Sequence, residues 1–348
     1  MAKKKKSGIL FSLFVILIVV VAAYVGYQIF FQSKISLKDK NYTFIYVKNG
    51  DGFDDVIKAV ATEEIIENME TFEWLAKKME LDKNIHPGKY RITNGMTTRQ
   101  IINLIKYNKH EKIKLTYNFQ IHNIEEFIAY TDERLEMDAT EIEDFIEDEK
   151  KMHDYFKLDP SSGFAMIVPG ICEVNWAINV EDFFSLLKDR YFKVWNANRQ
   201  KQAKKIGFSV TEVITIASIV QSESSIKSEQ EKIAGVYINR LKKDMLLQAD
   251  PTLKFANNNF DAQRVLDSDK NINSPYNTYL YKGLPPGPIC LTSTQAIDAT
   301  LNYSWHNYIF FCAKPQLNGF SDFSSTYSQH QRYAVAYQKA LDKRGIKR

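Results

Sequence analysis

Cysteine and histidine are scarce in this chain of 348 residues, and neither is arranged as a metal or redox site requires. Cys172, Cys290 and Cys312 are odd in number and lack the close pairs of zinc sites and redox motifs. One disulfide and free buried thiols are both compatible with this usage. The six histidines are scattered, without a helix-spaced pair. We therefore predict no metal and no cofactor.

The chain also lacks a basic face outside its N-terminus. It has 46 basic and 42 acidic residues, and Lys3, Lys4, Lys5 and Lys6 account for four of the basic ones. Without these four lysines, the basic and acidic residues are equal in number. Because binding to phosphates requires clustered Lys or Arg, this balance argues against nucleic acid as a partner.

One long uncharged run is present, from Ile9 to Phe31. A helix over residues 9–31 is long enough to cross a bilayer core. The lysines before it predict that residues 1–8 are a cytoplasmic tail and that the rest of the chain lies outside. A cleaved signal peptide is the alternative, but the run exceeds a signal-peptide core and has no clear small-x-small site. We therefore expect a single-pass anchor in the cytoplasmic membrane.

Residues 40–110 predict a small module. The predicted elements are a strand at 41–47, a turn at 49–52, helices around 53–60 and 72–79, a strand at 89–92 and a further helix at 96–107. The first strand is recognised by its alternating β-branched and aromatic residues, and the helices by apolar residues at helical spacing. This strand, helix, helix, strand order resembles a carbohydrate-binding module of the LysM type.

Residues 111–205 predict a connecting α/β region. It contains twelve acidic residues between Glu125 and Glu149, interleaved with apolar ones in the pattern of two solvated amphipathic helices. A strand is predicted at 164–168 and a helix at 180–195. The fold class predicted for the whole chain is α+β.

Residues 206–348 predict a mixed α+β domain with a loop-rich cleft. Ser209 and Glu212 match a capping box, and Ser228 and Glu231 match a second one. Glu223 then lies in the break between two helices. Beyond it, frequent Pro and Asn residues predict loops, which are a favourable place for a binding cleft. The predicted elements near the C-terminus are strands at 308–313 and 320–323 and a helix at 326–344.

Glu223 is the strongest candidate for a catalytic residue. It ends an apolar helical run, and neighbours such as Ile219 and Val220 raise a carboxyl pKa by desolvation. Cleavage of a glycosidic bond needs such an acid to protonate the leaving oxygen. Asp250 is either the second carboxylate of an ordinary hydrolase or a turn-forming residue before Pro251. A single-carboxylate route also exists, in which Glu223 takes a proton from the 6-hydroxyl of the sugar as that oxygen closes an internal ring.

Several ordered motifs together are more specific than Glu223 alone. They are Ile219-Val-Gln-Ser-Glu223, Asn239-Arg-Leu241, Leu247-Gln-Ala-Asp-Pro-Thr252, Tyr276-Asn-Thr-Tyr279, Gly283-Leu-Pro-Pro-Gly-Pro-Ile289, and Phe323 with His330. As a set they resemble the MltG (YceG-like) family of membrane-anchored endolytic murein transglycosylases. The resemblance implies cleavage of the MurNAc-GlcNAc β-1,4 bond in nascent peptidoglycan glycan strands, leaving 1,6-anhydro-MurNAc ends.

The same resemblance implies the site residues and partners. Glu223 falls on the position of the single catalytic Glu. The motif positions expected to line the cleft are Gln248, Asp250, Tyr276, Asn277 and Tyr279. Peptidoglycan glycan strands are the implied substrate, and cell-wall synthases are the implied neighbours at the outer face of the membrane.

The chain departs from the common family pattern at several positions. Gln221 stands where Glu is common, Ile171-Cys172 where a Thr-Tyr pair is common, Leu291-Thr-Ser293 where Asn-Pro-Gly is common, and Ser321 where His is expected. Two alternatives therefore stay open. One is a hydrolytic muramidase that uses Glu223 and Asp250, and the other is a non-catalytic, membrane-anchored scaffold that binds peptidoglycan.

Overall fold

The computed structural model describes residues 2–27, 35, 37, 40–260 and 265–344 of this protein, with side chains from residue 12 onward. Its fold is mixed α+β, as the sequence predicts. The chain divides into two compact units. The first comprises Met1–Lys114, Arg134–Glu136 and Glu173–Ile178, and the second comprises Leu115–Glu133, Met137–Cys172 and Asn179–Arg348.

Helices dominate the described residues, and the strands pair two by two. The helices are α1 (Ala2–Tyr27), α2 (Phe53–Thr62), α3 (Met69–Lys78), α4 (Thr98–Lys106), α5 (Ile124–Asp132), α6 (Ala139–Glu147), α7 (Glu149–Phe156), α8 (Val180–Val194), α9 (Ala197–Ile206), α10 (Val210–Glu223), α11 (Lys227–Lys242), α12 (Asp250–Ala256), α13 (Thr294–Leu301) and α14 (Tyr327–Lys343). The strands are β1 (Tyr42–Val47), β2 (Gly88–Thr93), β3 (Lys112–Tyr117), β4 (Gly170–Asn175), β5 (Phe310–Ala313) and β6 (Ser321–Ser324). The pairs are β1 with β2, β3 with β4, and β5 with β6.

Helix α1 covers most of the predicted anchor, and residues 28–31 of that segment lie outside the described residues. Its large apolar side chains, such as Phe14 and Val19, are exposed. Over the ranges that the structure describes, no helix combines the length and the apolar character that crossing a membrane requires.

The first unit contains the predicted strand, helix, helix, strand module. Strand β1 runs antiparallel to β2, with Tyr42 opposite Thr93 and Val47 opposite Gly88. Helices α2 and α3 lie between the two strands in the chain and pack their apolar faces into one core with them. The predicted order of elements in this segment is therefore confirmed.

The second unit positions Glu223 through the buried helix α10. The predicted capping box starts this helix, since Glu212 N–H donates to Ser209 Oγ at 3.1 Å and Ser209 N–H donates to Glu212 Oε2 at 2.7 Å. All residues from Val213 to Val220 are buried. Because α10 is buried in the core, it holds the backbone of its last residue, Glu223, in a fixed position.

The second predicted capping box is wrong. Helix α11 begins at Lys227 with Ile226 as its N-cap residue, so Ser228 lies inside the helix. The polar side chains of its first turn have other partners. Glu229 is buried and its Oε2 accepts from Ser321 N–H at 2.8 Å, while Gln230 Nε2 donates to Ser224 O at 2.7 Å.

Two further predictions in the second unit need correction. The strand predicted at 164–168 is wrong, since Pro160–Met166 form a 3-10 helix and strand β4 begins only at Gly170. Pro160 favours this helical first turn. The segment after Asp250 is less loop-rich than predicted, since it contains α12 and α13. Pro251 lies in the first turn of α12, where its missing N–H costs nothing.

Candidate active site

Glu223 is the last residue of α10, and α11 begins four residues later. The predicted position in a break between two helices is therefore confirmed. Tyr237, from the middle of α11, donates its hydroxyl to Glu223 Oε1 at 2.8 Å. Among the described residues, no group forms a hydrogen bond with Glu223 Oε2. One carboxylate oxygen is thus held in place, and the other is available to a substrate.

Burial dominates the electrostatics of Glu223. It raises the pKa of this carboxyl from 4.5 to about 7. The hydrogen bond from Tyr237 opposes the rise in pKa, and the negative charge of Asp250 adds to it. Near neutral pH, Glu223 is therefore populated in both its protonated and its ionised form. A group that must first give a proton and then take one needs this property.

Glu223 opens into a cleft of about 390 Å³. The other residues that line it are Tyr237, Arg240, Leu247, Gln248, Asp250, Tyr279, Phe310, Phe311, Tyr327 and His330. The lining combines aromatic rings with a few polar groups, which is typical of sites for small or polymeric ligands. The structure thus brings Glu223 together with three of the other predicted site residues, Gln248, Asp250 and Tyr279.

Gln248 and Asp250 reach the cleft because exposure alternates along their segment. Leu247 and Ala249 are buried, while Gln248 and Asp250 are exposed. Gln248 has a left-handed backbone, with φ of 49°, and its N–H donates to Thr278 O at 3.0 Å. Such backbone conformations are costly for residues other than glycine and concentrate at functional sites. On the other side, Tyr279 donates its hydroxyl to Asp250 Oδ1.

The other two predicted residues lie in the scaffold next to Tyr279. Asn277 is completely buried, and its side-chain amide donates to Lys270 O at 2.9 Å and Ile272 O at 2.8 Å. Its Oδ1 accepts from Tyr279 N–H at 3.0 Å, so Asn277 orders the loop that carries Tyr279. Tyr276 packs against Phe255, with ring centroids 4.5 Å apart. A direct contact of Tyr276 or Asn277 with substrate stays a prediction.

Asn239 and Arg240 have a structural role that explains their place in a motif. Asn239 Nδ2 donates to His306 O at 2.7 Å and to Tyr308 O at 3.0 Å. Arg240 is buried and donates to Ile309 O and Leu247 O, both at 2.7 Å. These bonds join α11 to the segment before β5 and to the loop that carries Gln248.

Sequence reasoning missed several cleft residues. Arg240 and His330 stand in the motifs and Tyr237 follows the helical spacing of α11, but no signal in the sequence places these three side chains beside Glu223. His330 stacks on Phe310 with ring centroids 5.2 Å apart, and its Nδ1 is buried without a hydrogen-bond partner among the described residues. Burial lowers the pKa of His330, so the ring is a neutral polar group facing the cleft.

Two of the departures from the common motifs are partners of each other. Gln221 Nε2 donates to Leu291 O at 2.7 Å, and Ser293 N–H donates to Gln221 Oε1 at 2.8 Å. An ionised Glu could not donate to the carbonyl oxygen. Gln221 also contacts the thiol of Cys290, which is free, as are Cys172 and Cys312. Gln221 therefore ties α10 to the segment before α13, whereas Glu223 is held by a different residue, Tyr237.

Comparisons with known proteins agree with this architecture. The chain is 39% identical over 138 residues to the endolytic murein transglycosylase of Bacillus subtilis (strain 168), which is 40% of this chain and 38% of that protein. It is 36% identical over 114 residues to the endolytic murein transglycosylase of Streptococcus pneumoniae serotype 2 (strain D39 / NCTC 7466), which is 32% of this chain and 21% of that protein. The chain thus spans well under half the length of these curated relatives.

A similar fold is known from a crystal structure of a yceG-like protein of Listeria monocytogenes. The two share 22% sequence identity with a TM-score of 0.53, over 84% of this chain and 99% of that one. The family model described as the YceG-like family matches residues 45–336, which is most of the chain. The match includes the module of the first unit as well as the cleft of the second. The chain therefore belongs to the YceG-like family.

Proposed function

We propose that this protein is an endolytic lytic transglycosylase that cuts peptidoglycan glycan strands, with Glu223 as its only catalytic acid and base. The observation that carries the proposal is the state of Glu223, a carboxyl with a pKa of about 7 at the edge of a cleft, held through one oxygen by Tyr237. The names of the matched B. subtilis and S. pneumoniae relatives support the same reaction class.

The proposed reaction breaks the C1–O4 bond between MurNAc and GlcNAc. Protonated Glu223 donates its proton to O4 of the leaving GlcNAc as that bond lengthens and positive charge builds on the MurNAc ring. The 6-hydroxyl oxygen of the same MurNAc then bonds to C1, and its proton passes to the Glu223 carboxylate. The enzyme is regenerated, the product is a 1,6-anhydro sugar, and no water is consumed.

The surrounding groups support this cycle in distinct ways. Because Tyr237 donates to Oε1, the mobile proton of Glu223 belongs on Oε2. Burial raises the pKa of Tyr237 well above its usual value, so the phenol stays neutral and keeps donating. The aromatic rings of Phe310, Phe311 and Tyr327 offer apolar faces for sugar rings, and His330 offers a neutral polar atom.

The test is to digest purified glycan strands with the wild type and with Glu223→Gln, and to identify the sugar ends by mass spectrometry. Gln keeps the size of the side chain and accepts the Tyr237 hydrogen bond, but it cannot transfer a proton. We expect anhydro ends from the wild type and none from the variant. Glu212→Gln, on the same helix, is the matched control and should retain activity. Anhydro ends released by Glu223→Gln would reject the proposal.

A hydrolytic muramidase is the second candidate, because Asp250 lies in the same cleft as Glu223. Two carboxylates flanking the bond are the arrangement of ordinary glycosidases. The products distinguish the two reactions, since hydrolysis leaves reducing ends that are one water heavier than anhydro ends. A non-catalytic scaffold would bind strands and release neither product.

We further propose that residues 9–31 anchor the protein in the cytoplasmic membrane and that the first unit contains a LysM-like, glycan-binding module. The uncharged run after four lysines supports the anchor. The order β1, α2, α3, β2 with antiparallel strands supports the module. An enzyme so placed would meet glycan strands as they emerge, beside the synthases that polymerise them. Extraction from membranes by detergent but not by salt tests the anchor.

A further inference from the structure

A second cavity adjoins the cleft of Glu223 within the same unit. Its volume is about 580 Å³, and three helices, α10, α11 and α12, contribute to both spaces. Ser222 lines the cavity while Glu223 lines the cleft, and Pro251 lines the cavity while Asp250 lines the cleft. The two spaces share no lining residue, but the step from one to the other is a single residue along α10 and along α12.

The chemistry of this cavity differs from that of the cleft. Lys254 is the only Lys or Arg among its described lining residues, and none of those residues is Asp or Glu. The cavity is otherwise lined largely by rings and amides. The rings are those of Phe119, His122, Phe255 and Phe260, and the amides are those of Gln221, Gln230 and Gln295.

Several of these side chains are held in place by the protein. His122 stacks on Phe260, with ring centroids 4.2 Å apart and planes 10° apart. Gln230 is buried and fixed by its bond to Ser224 O. Gln295 Nε2 donates to Ser225 O at 3.0 Å and to Gln230 Oε1 at 3.1 Å. No described residue donates to Gln295 Oε1, which is thus an acceptor available to a ligand N–H.

The Lys254 ammonium has no ion pair or hydrogen bond among the residues that the structure describes. Lys254 lies one helical turn after Asp250 in α12 and is partly buried, and its positive charge acts on Glu223, lowering the pKa of that carboxyl. In strands that carry peptides, the lactyl carboxyl of MurNAc is held in an amide bond, so the sugars themselves are uncharged. An ammonium can donate hydrogen bonds to sugar hydroxyls, but it pairs more strongly with a ligand that brings its own carboxylate.

We propose that this cavity binds the peptide carried on the lactyl group of the MurNAc unit at the cleavage site, with Lys254 recognising a peptide carboxylate. This inference rests on the proposed function and specifies its substrate. Small apolar side chains of the peptide would contact the aromatic rings, and a peptide N–H would donate to Gln295 Oε1. The volume suits a short peptide, since ligand pockets commonly measure about 300–1,000 Å³.

The test compares kcat/KM for glycan strands that carry peptides with kcat/KM for the same strands after their peptide carboxylates have been converted to amides. The peptides are kept in place because stripping them with an amidase would free the lactyl carboxylate of each MurNAc. The full-length wild type and Lys254→Met are assayed on both, with anhydro ends as the readout. Met keeps the apolar stem of the side chain and removes the charge. The decisive quantity is the ratio of kcat/KM on the first substrate to kcat/KM on the second. Any effect of Lys254 on the pKa of Glu223 acts equally on both substrates and cancels in this ratio.

We expect Lys254→Met to lower kcat/KM roughly tenfold on strands with free peptide carboxylates, the usual effect of losing one charge-assisted hydrogen bond, and to leave kcat/KM on the amidated strands unchanged. Lys201→Met, an exposed lysine on α9, is the matched control and should change neither value. For the wild type, conversion of the carboxylates to amides should itself lower kcat/KM by a similar factor.

The possible failures are distinguishable. Equal losses on both kinds of strand would overturn the inference and assign the cavity to a neutral sugar, and no loss on either would overturn it as well. In both cases the wild type would still produce anhydro ends, so the proposed function would stand. If the wild type produced anhydro ends from neither substrate, the proposed function itself would fail.

Discussion

The hydroxyl of Tyr237 donates to Glu223 Oε1 at 2.8 Å, and this bond opposes the effect of burial on the carboxyl. Burial favours the protonated acid, whereas a donated hydrogen bond favours the ionised one. The pKa of about 7 is thus the result of two opposed interactions. Tyr237 is a positioning residue that also sets the pH range in which Glu223 can both give and take a proton.

Replacing Tyr237 by Phe should move the pH dependence of activity to higher pH. The variant loses the bond that lowers the pKa of Glu223, so the carboxyl stays protonated further into the alkaline range. We also expect kcat to fall roughly tenfold, because a hydrogen bond to a charged group is lost and Glu223 is less well oriented. The pH profile of kcat measures both effects. A lower kcat with an unmoved alkaline limb would show that Tyr237 acts through packing alone.

Replacing Asp250 by Asn should shift the alkaline limb of the pH profile to lower pH. The negative charge of Asp250 raises the pKa of Glu223, so its removal lowers that pKa. Asn still accepts the Tyr279 hydroxyl, which keeps the local structure. If Glu223 acts alone, anhydro products should persist with less than about a tenfold loss of kcat/KM. A loss of roughly a hundredfold or more, as expected for a missing general base, would instead favour the muramidase.

The elements that the sequence predicted well are those set by local signals. The capping box of Ser209 and Glu212 is a contact between residues three apart, and it starts α10 as predicted. The alternation in β1 and the closing helix α14 depend equally on near neighbours. The position of Glu223 at a helix end followed from such signals. The prediction of Gln248, Asp250 and Tyr279 as cleft residues came instead from the resemblance of their motifs to the family.

The contacts that the sequence could not give depend on how distant segments pack. Tyr237 is buried, as its helical spacing indicates, but its contact with Glu223 depends on the angle at which α11 crosses α10. Asn277 has an amide side chain of the kind that binds substrates, yet this side chain forms hydrogen bonds with three backbone groups of the protein. The second capping box failed in part for the same reason, because Glu229 in the first turn of α11 accepts from Ser321 N–H, a group distant in the chain.

Replacing Gly235 by Ala should destabilise the second unit. A Cβ at this position of α11 would lie 2.6 Å from Ser304 O and 2.7 Å from His306 Nε2. The first of these atoms belongs to the backbone of a segment that hydrogen bonds tie to α11, so it cannot move aside freely. We expect a loss of about 1–3 kcal/mol in the free energy of unfolding, despite the better helix propensity of Ala.

The control for this variant is Ser228→Ala, which places an alanine at an exposed position of the same helix. It should change the free energy of unfolding by less than about 0.5 kcal/mol. Denaturant unfolding followed by circular dichroism measures both variants. Equal stability of Gly235→Ala and the wild type would show that the 303–306 segment can retreat from α11.

Replacing Glu223 by Gln should stabilise the protein in a pH-dependent way. The folded-state pKa of Glu223 is about 7 and its unfolded value is near 4.5, so the unfolded chain releases this proton at lower pH than the folded protein does. Stability of the wild type therefore falls as pH rises from about 4.5 to 7 and then stays low. Gln cannot ionise, so the variant avoids this loss. The advantage of Glu223→Gln should be small at pH 4 and reach at most about 3 kcal/mol above pH 8.

The measurement is the free energy of unfolding of the full chain in detergent at pH 4, 6 and 8.5, for the wild type, Glu223→Gln and Glu212→Gln. The Glu212 variant controls for the loss of an exposed carboxylate on the same helix. A constant difference between wild type and Glu223→Gln over this range would mean that Glu223 titrates alike in the folded and unfolded states. In that case its burial would not tune it for proton transfer, and the acid and base roles would have to be assigned on other grounds.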